Sequence, residues 1–269
     1  MTAISALITK NWIAAASDSL LTEFYPNTNT IKHIEFKKSK IVPIRKFKAA
    51  AAYWGLAKIN NWNIYDFLKS LAAKADRFET FEGFANNLKD ELKLKLDSIP
   101  FSNSNYKGIG IHLLGYEEIN NQSVPELFLI CNYTSPTYSE VSELSISRNL
   151  YKTLPGELRK TGDTLEGQRI KIVNFLNNGG TLIFNNGDPE LFNPAANAIH
   201  NMFNVAMSRD VLIDDYKKYM KLTSRPIEVI KNMQKDFFKK DFVRVGGKIH
   251  HLLITNQGNF FSDTDDNLF

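Results

Sequence analysis

Apolar and polar positions alternate in short runs from the start of the chain. Residues 2–9 and 12–17, on either side of Lys10-Asn11, predict two strands joined as a hairpin. "KIVPI" from Lys40 and "FKAAAAYWG" from Phe47 predict a second pair, the latter so rich in small residues that it must pack closely. The period then changes. Ile64, Phe67, Leu68, Leu71 and Ala72 recur at helical spacing, as do Phe81, Phe84, Ala85, Leu88 and Leu92 behind a capping residue, Thr80. Strand signals return with "KGIGIHLLGY" and "ELFLICNY", separated by the polar "EEINNQSVP", and again at "GTLIFNN". Asn193-Pro194 predicts a helix start, Asn as cap and Pro in the first position, with Ala195, Ala198, Ile199 and Met202 on one face. A last helix is expected from about Ser224 to Lys240, carrying Ile227, Ile230, Met233 and Phe237. The hairpin "GGKIHHLLIT", "NQG", "NFF" closes the pattern.

Strand pairs, two helices, strand pairs, two helices and strands follow one another. Hairpins imply antiparallel sheets, and paired helices imply layers outside them. The expected fold is therefore α+β: a four-layer α-β-β-α sandwich of two antiparallel sheets flanked by helix pairs. Residues 1–269 predict one domain. The irregular stretch at about 134–178 predicts an insertion with one helix near its end.

Composition narrows the function little. The 33 basic and 29 acidic residues nearly balance at a net charge of +4, which gives no reason to expect nucleic acid as a partner. The densest basic run, Lys37, Lys38, Lys40, Arg45, Lys46 and Lys48, lacks the interleaved aromatics of a nucleic-acid groove and predicts a solvated or structural face. The lone Cys131, inside an apolar run, predicts a small buried residue in a reducing compartment. No run approaches the ~18 apolar residues of a membrane helix, and the secretory-signal pattern is missing. A cytoplasmic protein without membrane contact is expected.

The five histidines show no metal-ligand spacing, and His250-His251, adjacent on a strand, point to opposite faces. There is no CxxC, GxSxG or Walker loop. No metal and no cofactor is expected. What is left is Thr2. Methionine removal before a small residue would expose a hydroxyl and an α-amine on adjacent atoms. The amine, with an ordinary pKa of about 7.7–8.0, can take the hydroxyl proton, so nucleophile and base come from one residue.

"TAISALITKNWIAAASDS" resembles the opening of proteasome β-subunits and the related peptidase HslV, which are N-terminal-nucleophile hydrolases. Those chains begin on Thr, run through strand-turn-strand and end in an Ala-Ala-Asp-Ser type motif; Asp18 stands at that spacing from Thr2. Lys40-Ile41-Val42 and "AAAAYWGLA" are similar to the next two strands of that family. "IGIHLLGYEE", "PELFLICNYTS" and "IEVIKNMQKDFF…VGGKIHHLLITNQGNFF" match later landmarks in order.

The resemblance implies Thr2 as nucleophile, Asp18 and Lys40 as a buried pair beside it, and the Gly55 N–H as oxyanion donor, with Lys38 a rival for Lys40. It implies an amide-bond hydrolase acting on a peptide or small amide through an acyl-enzyme. A homo-oligomeric ring or smaller assembly goes with it, and an unfoldase or other regulator is left unassigned. Departures from the family pattern point to the alternative, a non-catalytic structural or binding protein. Where the family has Gly-Ser-Gly, this chain has Asn185-Asn186-Gly187-Asp188, so Asn186 would hydrogen-bond the amine without shuttling a proton. Asp241 matches an acidic position before the final glycines, but Val245 replaces a serine.

Overall fold

The computed structural model describes residues 3–25, 30–35, 39–59, 61–99, 108–120, 122–133, 140–187, 192–208, 216–237 and 245–262. Along the chain lie β1 (Ile4–Ile8), β2 (Trp12–Ser17), β3 (Leu20–Tyr25), β4 (Thr30–Glu35), β5 (Ile41–Ile44), β6 (Ala49–Ile59) and β7 (Trp62–Asn63). Helices α1 (Ile64–Ala72) and α2 (Phe81–Asp97) follow, then β8 (Ile109–Ile119), β9 (Gln122–Tyr133) and β10 (Val141–Arg148). The remainder is α3 (Leu165–Asn177), β11 (Leu182–Asn186), α4 (Phe192–Ser208), α5 (Tyr216–Phe237), β12 (His250–Thr255) and β13 (Phe260–Ser262).

A five-stranded sheet runs β11-β1-β2-β12-β13, and an eight-stranded sheet runs β10-β9-β8-β6-β3-β4, with β5 and β7 also paired to β6. The fold is α+β. One face of the five-stranded sheet places Ala3 and Ala16 against Phe192 and Ala196 of α4 and Ile227 and Ile230 of α5. Its other face contributes Ile4, Ala6, Ile13 and Leu252 to a core shared with Ala50, Ala52, Trp54 and Leu114 of the eight-stranded sheet. The far face of that second sheet, through Val42, Ala49, Ala51 and Ile111, packs on Leu68 of α1 and Phe84 and Leu88 of α2. The alanine run of β6 is small for a reason. A Cβ on Gly115 of the neighbouring β8 would come within 2.2 Å of the Ala49 Cβ, so the strands leave no room for larger side chains there.

Local chemistry sets the helix starts. The Thr80 hydroxyl accepts the Gly83 N–H at 3.0 Å, and the Asn63 side chain accepts the Asp66 N–H at 2.8 Å. Two expected starts move. Helix α4 begins at Phe192, so Asn193 is its second residue and not its cap. Helix α5 begins at Tyr216 and carries Pro226 inside it. Proline lacks the N–H that would bond back to the Leu222 carbonyl; one turn earlier, the Thr223 and Ser224 hydroxyls donate to Met220 O at 2.6 Å and Lys221 O at 2.7 Å.

One sheet is not wholly antiparallel. β3 pairs with β6 in parallel, Thr22 opposite Leu56 and Phe24 opposite Ile59. The chain reaches β3 from β2 of the other sheet, so no hairpin forces the direction. The 134–178 stretch is also more regular than its sequence suggests, because β10 extends the larger sheet beside β9. Helix α3 near its end is as expected. A charge cluster ties this stretch down: Arg169 bonds Glu126 at 2.8 Å and Glu117 at 2.6 Å, while Arg148 bonds Glu126 at 2.8 Å and Glu82 at 2.7 Å. Burial pushes the Glu117 carboxyl up, against the pull of Arg169. No helix among the described residues is long and apolar enough to cross a membrane.

Candidate active site

After Ser17 the chain leaves the five-stranded sheet, and at Leu20 it enters the other. This crossing takes Asp18 and Ser19 through the interior, where every polar group needs a partner. The Asp18 carboxylate supplies three. Oδ1 accepts the Ala3 N–H at 3.0 Å and a Lys40 Nζ hydrogen at 2.9 Å, and Oδ2 accepts the Gly246 N–H at 3.1 Å. The Asp18 N–H donates to Ala3 O at 3.1 Å, and the Ser19 N–H donates to Gly246 O at 3.2 Å. The first strand, the crossing and the segment before β12 are thereby tied at one point.

Asp18 and Lys40 are both fully buried at 0% exposure. Lys40 Nζ also donates to Leu20 O. Burial pushes the Lys40 ammonium below its usual range, and Asp18 pulls it back up. Such a pair is held by geometry: the desolvation of two ions is offset only when each is hydrogen-bonded in place.

Lys40 occupies an interval along β6. β5 covers Ala49 to Ala52 of that strand, and on the same side β3 begins at Leu56. Between them the Tyr53 N–H donates to Lys40 O at 3.3 Å. N–H groups alternate along a strand, so the Gly55 N–H lies on the Lys40 side, while the Leu56 N–H donates the other way to Gly108 O at 2.8 Å. Gly55 has φ +81°, and a Cβ there would stand 2.4 Å from the Gly108 carbonyl oxygen. Gly55→Ala is expected to cost about 1–3 kcal/mol from its left-handed backbone alone, and more from that contact, measured by urea denaturation.

Asn186 is buried at the end of β11, opposite Ile4 of β1. Val245 is a core residue: its side chain packs with Ala3 and Ile227, and its N–H donates to Gln234 Oε1 at 3.0 Å. Thr2, Asp241 and the rival Lys38 lie outside the described residues. Thus Asp18 and Lys40 are brought together, Gly55 turns its N–H to Lys40's side, and Asn186 stands opposite Ile4. The sequence reading missed two groups, the Gly246 N–H and the Leu20 carbonyl. The only signal for the first was a glycine pair with no role assigned, and a backbone carbonyl leaves no signal in a sequence. Among the described residues, no group of three His, Cys, Asp or Glu side chains could hold a metal ion.

No family model and no curated protein matches the chain. Among solved structures it is similar to Anbu (ancestral beta-subunit) from Yersinia bercovieri, at 10% identity and a TM-score of 0.47, over 99% of this chain and 88% of that chain. These findings overturn the expected membership of the proteasome β-subunit and HslV superfamily. The sequence landmarks have local causes that need no common family. Asp18 satisfies backbone at a sheet crossing, Gly55 answers a positive φ beside a carbonyl, and Gly247 has φ +74° ahead of β12.

Proposed function

We propose that this chain hydrolyses amide bonds with Thr2, freed as an N-terminal residue, as nucleophile. The observation that carries the reading is the fully buried Lys40–Asp18 pair fastened to Ala3, the residue bonded to Thr2. A rigid strand start is what a terminal amine needs to act as a base. In the reaction the Thr2 hydroxyl oxygen bonds to the substrate carbonyl carbon and the α-amine takes its proton. The C–N bond then breaks as that proton passes to the leaving amine. A water next delivers hydroxide to the acyl carbon and returns its proton to the Thr2 oxygen, releasing the acid. Lys40 would favour the deprotonated hydroxyl, with Asp18 orienting it. Gly55 N–H is the proposed oxyanion donor, Asn186 a partner of the amine and Asp241 a further polar group of the site.

The packing contacts support arranging the two sheets and their helices as a four-layer α-β-β-α sandwich in one domain. The substrate class is a peptide or a small amide, and assembly as a homo-oligomer belongs to the same proposal. A second reading, a non-catalytic structural or binding protein, is favoured by the core Val245.

The test combines intact mass with an electrophilic, threonine-directed probe. The expected result is loss of Met1 and one added probe at Thr2. Thr2→Ala should keep the wild-type urea midpoint while losing labelling and amidase turnover. Retained Met1, or turnover unchanged in Thr2→Ala, would overturn the hydrolase reading.

A further inference from the structure

We infer that the outer edge of β11, with the cleft beside it, is a binding site for an extended peptide bearing a carboxylate. The direction of the backbone groups comes first. Ala3 turns its N–H and carbonyl to Asp18, and the Thr9 N–H donates to Trp12 O at 2.9 Å, so odd-numbered residues of β1 face β2. Even-numbered residues therefore face β11, where Ile4, Ala6 and Ile8 stand opposite Asn186, Phe184 and Leu182. In an antiparallel pair both members of a hydrogen-bonded rung turn inward, and the residues between them turn outward. Ile183, and Thr181 just before the strand, direct their N–H and carbonyl groups away from β1. Among the described residues no strand pairs with that side.

A cleft of about 1080 Å³ lies there instead, with Thr181 and Ile183 in its lining. Its apolar surface includes Phe175 of α3 and the partly exposed Leu158; Lys160 and Lys171 bring positive charge, and Glu157 brings a negative one. The wall is held in place where α3 meets the strand: a Cβ on Gly180 would stand 2.5 Å from the Phe175 ring. Lys171 is engaged by Asp163, whereas Lys160 forms no ion pair among the described residues.

An open strand edge binds by main-chain hydrogen bonds and draws specificity from side-chain pockets next to it. The volume is at the upper end of small-ligand pockets, ~300–1,000 Å³, and suits a short strand better than a compact metabolite. The occupant is a peptide that adds beside β11, rests an apolar side chain on Phe175 and Leu158, and sets a carboxylate at Lys160. Five residues of strand, roughly 17 Å, separate Thr181 from Asn186, the end of β11 that stands opposite Ile4. The inference is therefore independent of the hydrolase reading and tested without turnover.

The probe is a short fluorescein-labelled peptide of alternating valine and threonine, with leucine before a C-terminal glutamate, followed by anisotropy. Saturable binding is expected. Proline at residue 183 removes an outward N–H and no ladder bond to β1, so Ile183→Pro should fold and bind roughly tenfold more weakly. N-methylation of alternate peptide amides on the wild-type protein should weaken binding comparably in one of the two possible phases. Lys160→Glu should lower affinity and flatten its dependence on salt. Absence of saturable binding, equal binding by both methylated peptides and the parent, or Lys160→Glu binding like wild type would overturn the site.

Discussion

Lys40→Ala is expected to destabilise the protein by about 3–5 kcal/mol, because it leaves the Asp18 carboxylate buried without its cation. Both side chains are wholly removed from water, so the charge left behind cannot be rescued by solvent. The two N–H groups of Ala3 and Gly246 would stay on the carboxylate but bring no net positive charge. Asp18→Asn combined with Lys40→Met makes the sharper comparison. The amide oxygen still accepts one of those N–H groups, and the thioether side chain fills the volume left by the lysine without a charge. This double variant should recover most of the loss, and urea midpoints of wild type, single and double variants measure the difference. The same pair separates stability from chemistry: if Lys40 acts on the Thr2 hydroxyl, the recovered double variant should still lack amidase turnover and probe labelling. A folded double variant with wild-type turnover would confine the pair to a structural role.

The pair was legible only through the family resemblance, since Asp18 by itself marks the end of a strand and Lys40 stands in a basic run. Its partners were not. Gly246 and Leu20 act through backbone atoms, which any residue possesses. Strands β3 and β4 were missed because their pattern is blurred by polar residues with structural work: Glu23 is buried against Lys58 at 2.7 Å and accepts the Tyr25 hydroxyl at 2.6 Å. Beside it "TIKHIE" is a strand at the border of the sheet, rich in polar positions. β10 was hidden by a register shift between Val141 and Ser145, which breaks the alternation a strand is recognised by. Pro226 concealed the first turns of α5, since a proline ordinarily marks the start of a helix. The hairpins, α1 and α2 were readable because period, turn and cap agreed there.

Acid should destabilise the protein through His112 in a window from about pH 6.5 down to about 3. The imidazole is buried between the sheets, and burial holds its pKa at about 3, far below the ordinary 6.5. Its Nε2 accepts the Trp54 Nε1–H at 2.9 Å, so the neutral ring carries its proton on Nδ1, and protonating Nε2 would break that bond. Trp54 and Phe184 pack against it, and Tyr133 stacks on the Trp54 ring, leaving little room for a compensating water. The unfolded chain takes up the proton near pH 6.5 and the folded chain only near 3. Between these values the unfolded state binds more protons, and stability falls as pH falls. The contribution is present in full above about pH 6.5, and its slope is about 1.4 kcal/mol per pH unit inside the window. His112→Leu removes the titration and, although its own midpoint will be lower at neutral pH, should show a much flatter decline between pH 6 and 4. Glu117 works in the opposite sense: its raised carboxyl favours the folded state as pH falls through its window. The measurement is therefore the difference in slope between wild type and His112→Leu from urea titrations at each pH. Parallel curves for the two proteins would show that His112 is not the acid-sensitive group.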